Sequence, residues 1–440
     1  MTAEYEMVIL GGGVTGLAAG LASRSPVFEA REVAGGICAS YYIRPGETRR
    51  LPAAASDGET YRFEYGGGHW IFGGDPAVLH FIESQAPTIK YKRHSAVYFP
   101  ESELYVPYPM QNHVSYLGDE IAAKAIAEMI STPHTESATM AEWLEQSFGA
   151  TLMDRFFAPF HELYTAGLWK QIAPQDSFKS PANMRLVVQG AFNNSSPVGY
   201  NVTFVYPVNG LDRLVARMAD RCKVHFNMRA ITIDPQDKVI EFEDGAIVRY
   251  ERLISTLPLD RVCEMTGLSV EARPDPYTSV LVINVGGTKG ARCPDHHWIY
   301  VSASKTGFHR VGFYSNVDPN FLPQSSREAG DRVSIYVEKS YLGGRKPDEK
   351  EIAAVCQSVT QELQAWGFID EAEVVDPTWI DVAYTWSWPA SSWKQQALRV
   401  LQEHDIHQVG RYGRWVFQGI ADSIRDGLAV GAAFSQIERS

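Results

Sequence analysis

The chain has 440 residues, 45% of them apolar, and a formal net charge of −12. That length supports two or three domains around a sizeable core, and the acidic balance argues against nucleic acid as a partner, leaving any polyanionic ligand to be met by local arginines. No apolar run approaches the ~18 residues of a membrane span, and the acidic start runs straight into a strand without room for a signal peptide, so a cytoplasmic protein without a membrane partner is expected.

The five cysteines, Cys38, Cys222, Cys263, Cys293 and Cys356, are odd in number and lack C-x-x-C spacing. They suit a reducing compartment and give neither a disulfide framework nor a zinc site. The histidines show no H-x-x-x-H pattern, and the adjacent His296 and His297 would point to opposite sides of a strand, so no metal is expected.

Met7 to Leu10 reads as a buried strand that passes into Gly11-Gly12-Gly13-Val14-Thr15-Gly16 and a small-residue helix, Leu17 to Ala22. This is a G-x-G-x-x-G between strand and helix. Gly11 permits the tight turn, Gly13 lets backbone approach a pyrophosphate, Gly16 lets helix pack on strand, and the helix N-terminus faces the phosphates. Pro26-Val27-Phe28 is a second strand, with Glu29 at its end where a carboxylate binds the ribose hydroxyls of an adenosine. Only twelve residues lie between Gly16 and Glu29, which makes the first helix short. The run from Glu29 to Gly36, with Arg31 and the pair Gly35-Gly36, resembles the second phosphate-contacting signature of the glutathione-reductase-type FAD proteins, which implies FAD rather than NAD as the dinucleotide.

Arg49 to Thr60 is a polar loop ending at the alternating strand Tyr61 to Tyr65. In Gly66-Gly67-Gly68-His69 the glycines let the chain lie flat against something large, read here as the isoalloxazine ring with His69 beside it. Asp75-Pro76 caps a helix through Ser84. Lys90 to Val106 forms a hairpin, and the pattern then turns helical: Ile121 to Ile130, a capping box at Thr139 to Glu142 ended by Gly149, and Leu152 to Phe160. Strands return at Asn201 to Tyr206, Val224 to Ile233 and Val239 to Val248, with an amphipathic helix from Gly210 to Asp220. Leu253 to Pro258 brings the chain back to the nucleotide fold, and Ile231 is expected to offer a backbone contact to adenine. Five strands follow (Val280 to Val285, Trp298 to Val301, His309 to Tyr314, Val333 to Tyr341, Trp379 to Tyr384) with one helix, Glu349 to Trp366, between them. The strand Gln408 to Gly410 and the helix Ser423 to Phe434 close the chain, with Asp422 and Ser423 available to the flavin at the helix start.

The fold class is therefore α/β: a discontinuous Rossmann-like FAD-binding domain in three pieces (1–85, 201–275 and 396–440), a helical insertion with a hairpin (86–165), a linker (166–200) and a mixed-sheet substrate domain (276–395).

Several stretches, in order along the chain, resemble the UDP-galactopyranose mutases, most closely the eukaryotic type. Gly67-Gly68-His69-Trp70-Ile71-Phe72 is similar to the family's segment against the flavin, and Val106-Pro107-Tyr108-Pro109-Met110-Gln111-Asn112 to the segment whose tyrosine and glutamine hold the uridine. Trp298-x-Tyr300, then Arg310 and Tyr314-Ser315-Asn316, and Gly410-Arg411-Tyr412-Gly413-Arg414-Trp415 resemble two more. The resemblance implies a reaction without net redox change, in which N5 of the reduced flavin acts as nucleophile at an anomeric carbon and a nucleotide diphosphate departs. NAD(P)H is a candidate reductant. Arg310 and Arg411 are the expected cations for the departing anion, because guanidinium grips phosphate bidentately, and His69 completes the expected catalytic set. Tyr108, Gln111, His161, Asn201, Trp298, Tyr300, Trp388 and Phe417 are the expected substrate contacts. Trp388 and Phe417 stand where the family has two tyrosines, the family's asparagine before the closing helix is missing, and His161 replaces an asparagine. A different nucleotide sugar or another glycoside thus stays open as substrate. An FAD-dependent oxidase or dehydrogenase, with Trp386, Trp388 and Phe417 as aromatic walls, and a flavin-binding protein without catalysis remain the competing readings.

Overall fold

A computed structural model describes residues 3–133, 135–175, 183–192 and 202–437. The strand Ala3–Leu10 lies inside a seven-stranded sheet, paired in parallel with Val27–Phe28 on one side and with Ile247–Ser255 on the other. Val224–His225 extends the first edge, and Ile406–Gln408 runs parallel to the end of Ile247–Ser255. Met7 to Leu10 are all buried, and strands covered on both faces read as continuous apolar runs rather than alternating ones. Three distant parts of the sequence thus supply one parallel core, as expected for the fold class.

Two helices on this sheet fix the position of the site. Val14–Ser23 packs against Ile420–Ile437, and two glycines allow the approach. A Cβ at Gly427 would stand 2.2 Å from the Thr15 carbonyl oxygen, and one at Gly431 would stand 2.4 Å from that of Ala19. Thr15 meets Gly427 and Ala19 meets Gly431, so the helices run parallel and both N-termini face the same end.

A second seven-stranded sheet has the order Ile369–Thr385, Tyr277–Lys289, Arg332–Leu342, Arg310–Phe313, Trp298–Val301, Ser95–Phe99, Leu104–Pro107. One face buries Leu281, Ile283, Val333, Ile335 and Val337 under the helix Glu349–Ala365. Period-two alternation therefore turns Tyr336 and Glu338 to the opposite face. Register sets Tyr300 opposite Arg310 and Arg310 opposite Glu338, three side chains in a row across three strands. The helices Asp119–Ser131, Met140–Leu152 and Ala158–Tyr164 form a separate cluster beside this face.

Several expectations hold at the level of single bonds. Asp75 accepts the Ala77 N–H at 2.7 Å, and the Thr139–Glu142 capping box is complete in both directions. Others are corrected. Thr88–Lys92 pairs with Thr203–Pro207, so it is no arm of the hairpin, which is Ser95–Phe99 with Leu104–Pro107. That hairpin continues the second sheet through a parallel pairing with Trp298–Val301. Val224 to Ile233 is not one strand: it breaks into Val224–His225 and Ala230–Asp234 around Asn227, which sits at φ 57. The helices Leu259–Thr266 and Trp393–Gln402 were not anticipated.

The helix pairing yields a prediction. Gly427→Val forces a branched side chain against backbone and is expected to destabilise the protein by about 1–3 kcal/mol, read as a lower midpoint in thermal or urea unfolding.

Candidate active site

A cavity of about 740 Å³ runs from the glycine-rich turn to the inner face of the second sheet. Its first half is lined by Gly11, Gly13, Val14, Thr15, Glu29, Arg31, Gly35, Gly36 and Thr256 to Pro258, together with Gly419, Ile420, Asp422 and Ser423. Gly11 has φ +98, and a Cβ there would meet Thr256 Oγ1 at 2.2 Å, so this turn accepts only glycine. Gly13 is open: a Cβ would find nothing within 4 Å, which leaves its backbone accessible from the cavity. Glu29 is buried, and its carboxylate accepts the Gly12 N–H at 2.7 Å and the Arg31 N–H at 2.9 Å. Arg31 lies 4.9 Å from the Tyr65 ring centre and donates to the Gly36 carbonyl at 3.4 Å. Both helix N-termini open here, adding the positive ends of two peptide dipoles. Two bare glycine stretches, two helix ends, an arginine and a terminal acid fit a dinucleotide with its pyrophosphate.

The second half is lined by Gly66, Gly68, His69, Arg93, Tyr108, Phe156, Phe157, Phe160, His161, Tyr164, Trp298, Tyr300, His309, Arg310, Glu338, Tyr384, Arg411, Tyr412 and Phe417. The His69 ring folds back over Gly66, where a Cβ would lie 2.6 Å from its Cε1, and its Nδ1 lies 3.2 Å from the Gly67 carbonyl oxygen. That contact assigns the proton to Nδ1. Burial pushes the imidazole down to about 4, with Arg411 and Arg310 acting in the same direction against Gly67 and Glu338. His69 is therefore neutral at neutral pH.

The cations differ in their surroundings. Arg310 is ion-paired to Glu338, whose carboxylate is also 3.5 Å from His309 Nε2 and accepts the Tyr384 hydroxyl at 3.3 Å. Burial works to raise the Glu338 carboxyl, but Arg310 and His309 outweigh it and hold it at about 2. Arg411 instead donates to two carbonyls, Gln418 O and Ala383 O, both at 3.2 Å. Aromatic rings surround it, Phe417 at 4.6 Å and Tyr384 at 5.7 Å from the guanidinium. Among the described residues it has no ion-pair partner.

The family profile described as flavin-containing amine oxidoreductase matches residues 17–430. The chain belongs to that family. Its cofactor is FAD, which the first half of the cavity fits; Gly11, Gly13, Glu29, Arg31, Gly35, Gly36, Asp422 and Ser423 all line that half. Among solved structures, the chain is similar to a reduced UDP-galactopyranose mutase, at 21% identity and TM-score 0.82, covering 98% of this chain and 96% of that one. It is also similar to a putative protoporphyrinogen oxidase from Exiguobacterium sp. (14%, TM-score 0.69, 99% of each chain) and to putrescine oxidase with bound putrescine (16%, 0.56, 99% of each). At these identities the likeness is one of fold.

His69, Arg310, Arg411, Gly68, Tyr108, His161, Trp298, Tyr300 and Phe417 all meet at the second half of the cavity. Other expected residues do not line it. Ile231 is 46% exposed on a strand at the sheet edge and does not line the cavity. Gly16 packs against the turn, where a Cβ would stand 1.9 Å from the Gly11 carbonyl oxygen. Gln111 is buried without reaching the cavity wall. Trp388 is turned outward, with its Nε1–H donating to the Pro274 carbonyl at 2.9 Å and its ring 4.0 Å from Arg273. Trp386 is buried core, with its Nε1–H donating to Thr278 Oγ1 at 3.3 Å. Asn201 lies outside the described residues.

Reasoning from sequence overlooked Glu338, His309, Tyr384, Tyr164 and Arg93. An acid on the strand Val333 to Tyr341, on the face shared with Ser334, Tyr336 and Ser340, was a usable signal for Glu338, because a lone charge on a buried strand face needs a partner. Arg93 carried none. Replacing Glu338 by Gln strands the buried Arg310 charge and is expected to destabilise the fold by about 3–5 kcal/mol. The carboxyl titrates near 2 when folded and near 4.5 when unfolded, so its contribution is complete above 4.5 and is lost as pH falls toward 2. Urea unfolding should show the gap between wild type and Glu338→Gln in full at neutral pH and narrowing below 4.5.

Proposed function

We propose that this flavoprotein is a redox-neutral nucleotide-sugar mutase that interconverts pyranose and furanose forms. The observation that carries the reading is Arg411, a cation at the cavity with carbonyl and aromatic neighbours and no ion-pair partner among the described residues. A site with an uncompensated guanidinium favours a ligand or leaving group that brings negative charge. When bound, reduced FAD supplies a nucleophilic nitrogen, N5, toward the anomeric carbon, with NAD(P)H as the proposed reductant. Arg411 takes the charge of the departing diphosphate. Arg310, held by Glu338, offers a fixed donor edge rather than net charge. Neutral His69 holds the glycine turn in place through Gly67. Phe156, Phe157, Phe160 and Tyr164 wall the sugar end and exclude water.

The tyrosine replacements shape this reading. Trp388 faces away and Phe417 has no hydroxyl, so the phenols at the cavity are Tyr108, Tyr164, Tyr300, Tyr384 and Tyr412. Phe417 instead lies beside Arg411, a cation–π contact that orients the guanidinium without using its donors. The substrate we favour is a nucleotide sugar, with another anionic glycoside as the nearest variant. The five free cysteines suit a reducing compartment such as the cytoplasm, and among the described residues no helix is long and apolar enough to cross a membrane.

A second reading, a flavin oxidase, is favoured by the aromatic lining of the same half-cavity. An amine substrate fits it poorly. Arg93, Arg310 and Arg411 line that end, and the one carboxylate there among the described residues, Glu338, is already paired. Protein reduced with dithionite or NADPH should convert a nucleotide hexopyranose to its furanose isomer. Steady oxygen consumption with no isomer would favour the oxidase. Arg411→Ala, which removes a hydrogen bond to a charged group, should lower kcat/KM by about 10- to 150-fold, the equivalent of roughly 1.5–3 kcal/mol; full turnover would remove the proposed anchor. Because Glu338 titrates near 2 and His69 near 4, neither should add a limb to the pH profile of kcat/KM across the neutral range, which initial rates will check.

A further inference from the structure

On the outer side of the second sheet, His94, Asp295 and His296 come together from two segments far apart in sequence. His94 links the strands Thr88–Lys92 and Ser95–Phe99, while Asp295 and His296 lie in the loop before Trp298–Val301. His296 and His297 do point to opposite sides: His296 stacks on His94 at 4.1 Å, whereas His297 packs edge-on to Tyr91 and Phe204. The sequence pattern could not show that His94, two hundred residues earlier, faces His296.

The cluster is held from several directions. The His297 N–H donates to His94 O at 2.7 Å, and the His94 N–H donates to His297 Nδ1 at 3.2 Å. Asn316 Nδ2 donates to Pro294 O at 2.9 Å and to His296 O at 2.7 Å, which fixes the loop. Tyr105 stacks on the His296 ring at 5.1 Å. Asp295 Oδ1 lies 3.7 Å from His94 Nδ1 and 4.0 Å from His296 Nδ1, and His94 Nδ1 is 3.2 Å from the Asp295 carbonyl oxygen. One candidate ligand atom from each of the three residues falls within 4.8 Å of the others. His296 Nδ1 is buried and has no hydrogen-bond partner, an arrangement that native proteins seldom leave unexplained.

We propose that His94, Asp295 and His296 form a site for a zinc-class divalent transition metal, which would clip the hairpin to the loop before Trp298. Two imidazoles and one carboxylate are a borderline-soft donor set that selects zinc over magnesium or calcium. Bonds of about 2.0–2.1 Å put tetrahedral ligand atoms about 3.4 Å apart. The His94 and Asp295 side chains are 46% and 88% exposed and can close the remaining distance, leaving the fourth position to water. The clip would act on the active site through the chain: Arg93 precedes His94, and Trp298 follows two residues after His296, and both line the cavity.

Titration calorimetry on the full-length FAD-loaded protein, with zinc chloride and with magnesium chloride as the control, tests this. Wild type should bind one equivalent of zinc and no magnesium, and its thermal midpoint should rise with zinc. His94→Gln and Asp295→Asn, both at exposed positions, should weaken zinc binding at least about tenfold and abolish the thermal shift. Absence of zinc binding by wild type, or equal affinity and stoichiometry in wild type and His94→Gln, would overturn the proposal.

Discussion

The arrangement on which the site depends is the unequal treatment of two arginines. Arg310 is neutralised where it stands by Glu338, and that buried carboxylate is itself supported by His309 and Tyr384. Arg411 meets carbonyls and aromatic side chains and, among the described residues, no carboxylate. A buried ion pair is rigid and contributes little net field, whereas a guanidinium without a carboxylate leaves an attractive potential in a low-dielectric cavity. One arginine thus shapes the cavity and the other charges it. The folding reason is local: strand register alone puts Arg310 opposite Glu338, while the short helical turn Gly410–Gly413 carries Arg411 in from the end of a strand of the first sheet.

The two halves of the cavity are joined by glycine. Gly427 and Gly431 bring two helices into contact in parallel, so that both positive ends open toward the dinucleotide half. Gly68 and Gly312 do the corresponding work on the other side, since a Cβ at either would collide with Tyr336 at 2.1 Å and 1.9 Å. The flat Gly66–His69 turn therefore rests on a tyrosine of the second sheet.

Much of this was legible in the chain itself. The strand–turn–helix around Gly11 to Gly16, the acid at Glu29 and the return at Thr256 follow from short-range patterns that one fold satisfies, and the cavity-lining role of His69, Arg310 and Arg411 followed from stretches resembling a known family. What escaped is what depends on long-range register. Glu338 gains its meaning from Arg310 across a strand pair, His94 from His296 across a parallel one, and the hairpin's sheet membership from a partner strand two hundred residues on. The outward turn of Trp388 is decided by the Pro274 carbonyl, a partner no local pattern names.

On the proposed mutase reading, the bond between the anomeric carbon and the diphosphate oxygen breaks and re-forms with no net oxidation. A nucleotide sugar carrying heavy oxygen at that bridging position, incubated with the reduced protein and followed by phosphorus NMR, tests it most directly. The label is expected to scramble from the bridging into the non-bridging positions of the β-phosphate as isomer forms, without oxygen consumption. Oxygen consumption without isomer, the label staying in the bridge, is the opposite result and rules the mutase out.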